Sequence, residues 1–542
     1  MKKILTLSLI FSMLASSCYA AEIDLAKALK SGEATKTTIT PLIDGKKLKV
    51  DFYVAPYVSK PNRPEDQLIN IYVPENATKK SPVLFVVNNG GWFMDDYAAT
   101  VGDRDGIAIK DGKNYQTSPD VDDLSKGREQ FSAMALKRGF VVVSYGARSR
   151  GNGATDGKFL GHSPATATDT KAAIRYLRAN KKFLKNIDAD KIVVNGTSGG
   201  GAMTALIAAS GNSPDFFEYL YEIGAAGISK SGDIFINDPE IGDNIFATMS
   251  YCPITDLGNA DAAYEFTYNE TRKKLFDENN LEYSVASKED ILRRSDALKA
   301  RYADYVDSLK LFRKDGSPLT SENLNEEIIR LMKNEIEESI SEFGIAKIKA
   351  DIENSKWHGN NWLVLNDDGS YTYDFEQHKY FVAMNTKLKI APAFSNSGLY
   401  EPQQQNEDNL FGTREQPYCP FEFISWNEDT VKNSVGKDDT GLEWDDFMKT
   451  LEGQELVKQI KMTCPFDYLT KDKNVNIAPN WYVRWGMKDR DSSFALETVF
   501  YHELLNSSGV KNLNFEFAWL YPHSGNYDAK EAFTWLDSVL QF

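Results

Sequence analysis

Ser198 is the residue of this sequence whose surroundings best suit nucleophilic chemistry. It lies in the glycine-rich pentapeptide 196–200, between the apolar run 192–194 and a run of small residues at 202–206. This pattern predicts a strand, a sharp turn and a helix, and glycines in such a turn let the backbone push the serine hydroxyl into the open. The context on both sides favours a reactive serine over an ordinary glycine-rich turn.

A candidate acid and a candidate base follow later in the chain. Asp489 comes shortly after the predicted strand 481–485, and His523 follows the last predicted strand, 513–519. An imidazole that takes the proton of a serine, and a carboxylate that orients the imidazole, together allow attack on an acyl carbonyl. The other histidines are interpreted as surface, insertion or helix residues: His162, His358, His378 and His502.

Two glycines at the end of an earlier apolar run are predicted to help stabilise an oxyanion. Gly90 and Gly91 follow the run 83–87, and a turn without side chains lets backbone N–H groups face a substrate carbonyl. The N–H of Gly199, next to the serine, is the expected second donor. A plain turn at the end of a strand is the alternative interpretation.

The elements that must position these residues follow an α/β rhythm. Continuous apolar runs at 83–87, 140–143 and 192–194 alternate with helical segments such as 169–177, which is typical of buried parallel strands joined by crossover helices. The sequence therefore predicts an α/β fold with a mostly parallel sheet and helices on both faces. Alternating patterns near residues 48–54 and 69–73 predict outer strands of the same sheet.

The α/β rhythm stops after Asp256 and returns only at Trp481. Two helical faces and a hairpin around 362–373 lie between them, so we expect a large inserted mixed α+β lid domain over the site. An oligomerisation module is the alternative. The predicted divisions are a signal peptide at 1–20, a first core part at 21–256, the lid domain at 257–476 and a second core part at 477–542.

The first twenty residues predict export. Lys2 and Lys3 precede an apolar core and then small residues, the pattern of a cleaved secretory signal. The mature chain is expected to begin near Ala21 and to be periplasmic, cell-surface or secreted. Residues 15–18 also form a loose lipoprotein box, so a lipid anchor at Cys18 is the disfavoured alternative. No later stretch is apolar over the length needed to span a membrane.

The composition of the chain limits the kinds of molecule that the protein is expected to bind. The 542 residues are 42% hydrophobic and carry a formal net charge of −16, which argues against nucleic acid or an anionic membrane as partner. Three cysteines follow the predicted leader, an odd number that argues against a disulfide framework: Cys252, Cys419 and Cys464. No Cys/His spacing indicates a zinc site, and neither a metal nor an organic cofactor is expected.

Short segments spread over most of the chain carry a family resemblance: 171–178, 195–201, 251–256, 260–265, 409–412, 489–491 and 522–525. They resemble segments of bacterial tannases of the α/β-hydrolase type, which hydrolyse galloyl esters. Because segments of the insertion match as well as those of the core, the resemblance is specific to this family. It implies an α/β-hydrolase core and a small phenolic ester as the substrate.

The same resemblance implies three substrate-binding residues. In the family, a lysine and a glutamate of the lid and the second acid of an Asp-Arg-Asp turn bind the hydroxyls of the gallate ring. By motif these residues are Lys389, Glu407 and Asp491, and Lys387 is close enough to compete with Lys389. Such a set would reject rings that lack a hydroxyl, because buried polar partners would be left unpaired.

The predicted reaction is ester hydrolysis through an acyl-enzyme, with Ser198 as nucleophile, His523 as general base and acid, and Asp489 as the orienting acid. Two alternatives stay open. One is a general aryl or feruloyl-type carboxylesterase, in which the lid charges have no role. The other is a non-catalytic exported binding protein of the same fold.

Overall fold

The structure, a computed structural model, describes most of the chain. The described residues are 18–19, 23–93, 108–110, 113–115, 130–150, 153–355, 361–400, 407–429, 440–470 and 473–541. Apart from two residues, the predicted leader and the expected start of the mature chain at Ala21 lie outside these ranges.

One large sheet dominates the described part of the chain. In chain order its strands are β1 (Thr35–Ile39), β2 (Val50–Pro56), β3 (Leu68–Pro74), β4 (Val83–Val87), β5 (Val141–Tyr145), β6 (Ile192–Thr197), β7 (Ala247–Tyr251), β8 (Asn480–Gly486) and β9 (Asn512–Ala518). They run across the sheet in the order β9-β8-β7-β6-β4-β5-β3-β2-β1. The six strands from β4 to β9 are parallel, and antiparallel pairs join β5 to β3, β3 to β2 and β2 to β1. The prediction of a mostly parallel α/β sheet is confirmed.

Helices cover both faces of this sheet, which explains why its central strands are continuous apolar runs. Along β4, Phe85 packs into one apolar core, whereas Leu84 and Val86 pack into the core on the opposite face. Side chains of a strand alternate between faces, so a strand buried on both sides needs apolar residues throughout. The helices of the two core parts are Leu25–Ser31, Gln130–Lys137, Ala165–Ala179, Lys181–Leu184, Gly199–Ala209, Phe217–Glu222, Phe494–Asn506 and Ala529–Leu540.

The segment between β7 and β8 leaves the sheet and returns beside the strand it left. β7 ends at Tyr251 and β8 begins at Asn480, yet the two strands pair directly in parallel. Between them a hairpin pairs Leu363–Leu365 with Tyr371–Tyr373, as its turn sequence predicts. The helices of this segment are Leu257–Asp277, Lys288–Leu309, Leu324–Phe343, Ile345–Asn354, Phe375–Asn385, Phe423–Asn427, Trp444–Phe447, Leu451–Lys461 and Phe466–Leu469.

Smaller elements complete the fold. Cys18–Tyr19, Ile228–Ser231 and Ile234–Asn237 form a small antiparallel sheet. Two further antiparallel pairs are Leu42–Ile43 with Lys46–Lys47 and Ala108–Lys110 with Lys113–Tyr115. The 3-10 turns are Gly90–Trp92, Pro214–Phe216, Pro239–Ile241 and Glu407–Leu410.

Two features of the described residues bear on the expectations from composition. Cys252 and Cys464 are buried free thiols, and Cys419 is buried as well. Among the helices that the structure describes, none combines the length and the apolarity that crossing a bilayer requires.

Candidate active site

Ser198 occupies a strained turn between β6 and the helix Gly199–Ala209. Its φ of 62° and ψ of −124° belong to a region that residues with a side chain rarely adopt. The Ser198 N–H donates to the carbonyl of Tyr251 on the neighbouring strand at 2.9 Å. A Cβ at Gly196 would lie 2.5 Å from the Gly200 carbonyl oxygen, so the turn needs glycine on the strand side of the serine.

The structure brings Ser198, His523 and Asp489 into one hydrogen-bonded chain. His523 Nε2 lies 2.7 Å from Ser198 Oγ, and His523 Nδ1 lies 2.7 Å from Asp489 Oδ2. The three residues follow β6, β9 and β8, whose carboxyl ends meet at the same edge of a parallel sheet. The distances match those of a nucleophile, a base and an orienting acid.

Burial and charge act in opposite directions on the acid and the base. Burial lowers the pKa of His523, but the Asp489 carboxylate outweighs it, so the pKa of His523 is raised. Burial raises the pKa of Asp489, but the imidazole and the Asp491 N–H outweigh it, so the pKa of Asp489 is lowered. The pair therefore favours an ionised acid that stabilises the imidazolium formed when the base takes a proton.

Cys252 contacts the loop that carries His523 and lies close to Asp489, an arrangement that the sequence did not reveal. Its thiol donates to the Ser524 carbonyl at 2.9 Å, next to His523 in the chain. Its sulfur lies within 4.8 Å of the nearest ligand atoms of Asp489 and His523. Burial, reinforced by the charge of Asp489, raises the pKa of Cys252 well above its ordinary value, so it stays a neutral thiol that holds the histidine loop.

The glycine turn after β4 lies directly against the serine turn. Gly90–Trp92 is a single 3-10 turn in which Gly91 has a φ of 61°. A Cβ at Gly199 would lie 2.4 Å from the Trp92 nitrogen and 2.5 Å from the Asn89 oxygen. Gly199 begins its helix, where the first N–H groups have no partner within the helix. Backbone donors from both turns thus border Ser198, as an oxyanion hole requires.

Asp491 and Lys389 lie within electrostatic reach of His523. The Asp491 charge raises the pKa of His523, whereas the Lys389 charge lowers it. Asp491 is anchored by its N–H, which donates to Asp489 Oδ1 at 2.8 Å, and its carboxylate lies 3.3 Å from the Arg490 guanidinium. The Lys389 ammonium lies 4.1 Å from the centre of the Phe394 ring. The charges of this acid and this lysine therefore both reach the predicted base.

The side chain of Lys387, the alternative to Lys389, makes its contacts with Glu282 and Tyr283 of the insertion. Lys387 is exposed, donates to the Glu282 carbonyl and lies 4.4 Å from the centre of the Tyr283 ring. The backbone of Lys389, in contrast, is held by the Arg272 guanidinium, which donates to its carbonyl at 2.9 Å. Of the two lysines, the structure therefore directs Lys389 toward the site.

Glu407 belongs to a 3-10 turn that contacts the glycine turn Gly90–Trp92. Its charge acts on Arg150, as does that of Asp408. The Arg150 guanidinium carbon lies 4.1 Å from the centre of the Phe93 ring, and one of its nitrogens lies 3.8 Å from where a Gly91 Cβ would be. Sequence reasoning missed Arg150. Its signal was its position shortly after β5, at the sheet edge where the other site residues cluster.

Fold and site together define an α/β-hydrolase of the carboxylic ester hydrolase class. The family model BD-FAE, an esterase-like α/β-hydrolase domain, matches residues 119–296. The match spans β5 to β7 and includes the turn that carries Ser198. A comparison with curated protein sequences finds no match.

Solved structures of bacterial tannases are similar to almost the whole chain. The tannase of Fusobacterium nucleatum is 28% identical, with a TM-score of 0.69 over 93% of this chain and 98% of that chain. The tannin acyl hydrolase of Lactobacillus plantarum is 25% identical, with a TM-score of 0.69 over 94% and 98% of the two chains. A tannin acyl hydrolase in complex with ethyl gallate is 26% identical, with a TM-score of 0.69 over the same shares. The resemblance to bacterial tannases is confirmed.

Proposed function

We propose that this protein is a serine esterase that hydrolyses galloyl esters, such as tannins and alkyl gallates, to gallate and an alcohol through an acyl-enzyme. The observation that carries the proposal is the hydrogen-bonded chain of Ser198, His523 and Asp489, in which the charges of Asp491 and Lys389 act on His523. Similar tannin acyl hydrolases have been solved with ethyl gallate and with 3,4-dihydroxybenzoate.

In the first half of the proposed reaction, Ser198 Oγ attacks the ester carbonyl while His523 Nε2 takes the hydroxyl proton. The carbonyl oxygen becomes an oxyanion that accepts hydrogen bonds from the Gly199 N–H and from the Gly90–Gly91 turn. Asp489 stabilises the imidazolium through its bond to Nδ1. The bond between the acyl carbon and the alcohol oxygen then breaks, and His523 donates its proton to the departing alcohol.

The second half reverses these roles with water. His523 takes a proton from a water molecule, whose oxygen attacks the acyl carbon of the ester on Ser198. The tetrahedral intermediate collapses, the bond to Ser198 Oγ breaks, and His523 returns the proton to the serine. Gallate leaves, and the enzyme is regenerated without any group beyond these residues.

Recognition of the trihydroxy ring is the second part of the proposal. The Asp491 carboxylate accepts from ring hydroxyls, and the Lys389 ammonium donates to a ring oxygen, close to the base that acts on the ester. Glu407 is proposed as the third contact. A ring that lacks a hydroxyl leaves a polar group of this set unpaired, which typically costs about 1–3 kcal/mol.

A general aryl or feruloyl-type esterase is the second candidate. The observation that favours it is the position of Glu407, whose charge acts on Arg150 beside the glycine turn Gly90–Trp92. In that case the site would attack aryl esters without requiring three ring hydroxyls.

Rates on three methyl esters distinguish the two candidates. The purified protein should hydrolyse methyl gallate about 10-fold or more faster, in kcat/KM, than methyl ferulate or methyl benzoate. Equal rates on the three esters would favour the general esterase. The Ser198→Ala variant should lose hydrolysis of all of them, and undiminished activity in this variant would exclude Ser198 as the nucleophile. If the parent protein hydrolysed none, the binding-protein alternative would replace both enzymes.

The insertion and the N-terminal residues each support a further proposal. We propose that residues 257–476 form a lid, which is supported by the action of the Lys389 charge on His523 and of the Glu407 charge on Arg150. We also propose export, on the pattern of residues 1–20. N-terminal sequencing of the protein secreted by a bacterial host would test the export, with Ala21 as the expected first residue.

A further inference from the structure

A cavity lies away from Ser198, His523 and Asp489, where helices of the core and of the insertion meet. Its volume is about 730 Å³, and none of its lining residues belongs to the predicted ester site. Its walls are largely apolar and aromatic, formed by Leu309, Phe312, Trp444, Met448, Ile460 and Phe466, among others. A cavity of this size and character can enclose a small organic molecule.

A buried carboxylate lines this cavity without a protein partner. Glu503, on the helix Phe494–Asn506, is only 8% exposed, and its carboxylate has no hydrogen bond or ion pair with any described residue. Burial, together with the charges of Asp256 and Asp467, raises the pKa of Glu503 to about 8. A buried carboxyl group that no protein group satisfies is costly unless something else contacts it.

Two more acids line the same cavity. Asp256, 3% exposed, accepts from the Tyr305 hydroxyl at 2.7 Å and from the Asn259 amide at 3.0 Å. Burial raises the pKa of Asp256 to about 6 against these bonds, and Asp467 adds to the rise. The cavity therefore combines apolar walls with two buried acids, Asp256 and Glu503, whose burial is not offset by hydrogen bonds from the protein.

The spacing of the acids argues against a single metal ion. Asp256, Asp467 and Glu503 do not bring their carboxyl oxygens within 4.8 Å of one another; among the described residues, only the group at the triad meets that condition. Lysines at positions 310, 461 and 473 also line the cavity, but all three are exposed. Positive charge thus lies at the rim, whereas the acids Asp256 and Glu503 are buried.

We propose that this cavity binds a compact organic ammonium ion with an apolar or aromatic body. The ammonium group would donate to Glu503 and lie near Asp256 and Asp467, spanning a spacing that is too wide for a bare metal ion. Its apolar body would pack against the side chains of Phe312, Trp444 and Ile460. The charge would relieve repulsion among the acids, which a neutral molecule of the same shape cannot do.

Benzylammonium is a suitable probe, and benzyl alcohol is its neutral counterpart of similar shape. Titration of the full chain by calorimetry at about pH 8 should show binding of the amine at least about 10-fold tighter than that of the alcohol. Glu503→Gln, which keeps the shape of the side chain, should weaken the amine by at least about 10-fold. Asp491→Asn, at the predicted ester site, should leave amine binding unchanged.

Each contrary result overturns the proposal. Equal binding of the amine and the alcohol would remove the role of charge, and undiminished binding by Glu503→Gln would remove the role of this cavity. Weaker binding in Asp491→Asn alone would place the amine at the ester site instead. A second readout, the NMR signal of the Met448 methyl group, should shift with the amine in the parent protein and not in Glu503→Gln. An unmoved signal in the parent would also contradict the proposal.

Discussion

Asp489 and Glu503 are both buried carboxyl groups of the second core part, yet their environments differ in kind. Asp489 is 1% exposed, bonds to His523 at 2.7 Å and accepts the Asp491 N–H at 2.8 Å. Glu503 is 8% exposed and has no protein partner among the described residues. The pKa of Asp489 is lowered, whereas that of Glu503 is raised to about 8.

The difference shows that burial alone does not decide the state of an acid. Burial is the largest influence on both groups and favours the neutral form of each. A cationic partner and a backbone donor reverse that preference at Asp489, and neighbouring acids reinforce it at Glu503. The protein itself thus prepares Asp489 to hold a charge, whereas no described residue does the same for Glu503.

Removing the charge at Asp489 should give the largest loss of catalytic rate. In Asp489→Asn, kcat on methyl gallate should fall by about 10⁴-fold, because an amide neither fixes the imidazole tautomer nor stabilises the imidazolium. The acid limb of the kcat/KM profile should move to lower pH, since the carboxylate is what raises the pKa of His523. Steady-state kinetics across pH would measure both effects. A loss below about tenfold would remove Asp489 from the mechanism.

Separating the two turns at the oxyanion hole should give a smaller loss. A Cβ in Gly199→Ala would lie 2.4 Å from the Trp92 nitrogen, so the glycine turn must move away from Ser198. We expect kcat on methyl gallate to fall by about 10²–10³-fold. Gly153→Ala is the matched control, because a Cβ there meets nothing within 4 Å. Equal activity of the two variants would contradict the assignment of these donors.

Asp491 tests whether a second acid near the base selects the ring. Asp491→Asn should reduce kcat/KM on methyl gallate by about 10–100-fold, because an amide is a weaker acceptor for ring hydroxyls. Hydrolysis of methyl benzoate should stay nearly constant, since that ring has no hydroxyl. A comparison of the two esters separates recognition from chemistry. Equal losses on both esters would assign Asp491 to the support of Asp489 instead.

Neutralising Glu503 should change stability rather than catalysis. Between about pH 4.5 and 8 the folded protein keeps a proton on Glu503 that the unfolded chain has lost, so stability falls as pH rises through this window. Glu503→Gln removes that fall, and its Tm should exceed that of the parent by about 1–4 °C at pH 8 and by less at pH 5. Thermal unfolding at the two pH values would measure the difference. The exposed Glu452→Gln is the control and should show no such trend.

Local patterns in the sequence were enough for the fold class and for the order of the triad residues. Continuous apolar runs predicted buried parallel strands, and the residues that follow such strands meet at one edge of the sheet. Ser198, Asp489 and His523 could therefore be placed together from their strand contexts. The glycines beside Ser198 follow from the same turn, because their role depends on backbone only a few residues away.

Contacts between distant segments were decided only by the tertiary structure. Lys387 and Lys389 are two residues apart, and only the packing of the insertion shows which one acts on His523. Arg150 carries no motif, yet the fold places it beside Gly91 and near Glu407. Side-chain direction depends on neighbours that are far away in the sequence, so no local pattern contains it.

The cavity around Glu503 is the clearest case. Asp256 begins one helix and Glu503 lies near the end of another, with more than two hundred residues between them. Each acid would pass for a surface charge in the sequence. Their shared burial, and the pKa shifts that follow from it, exist only because tertiary packing brings them to the lining of the same cavity.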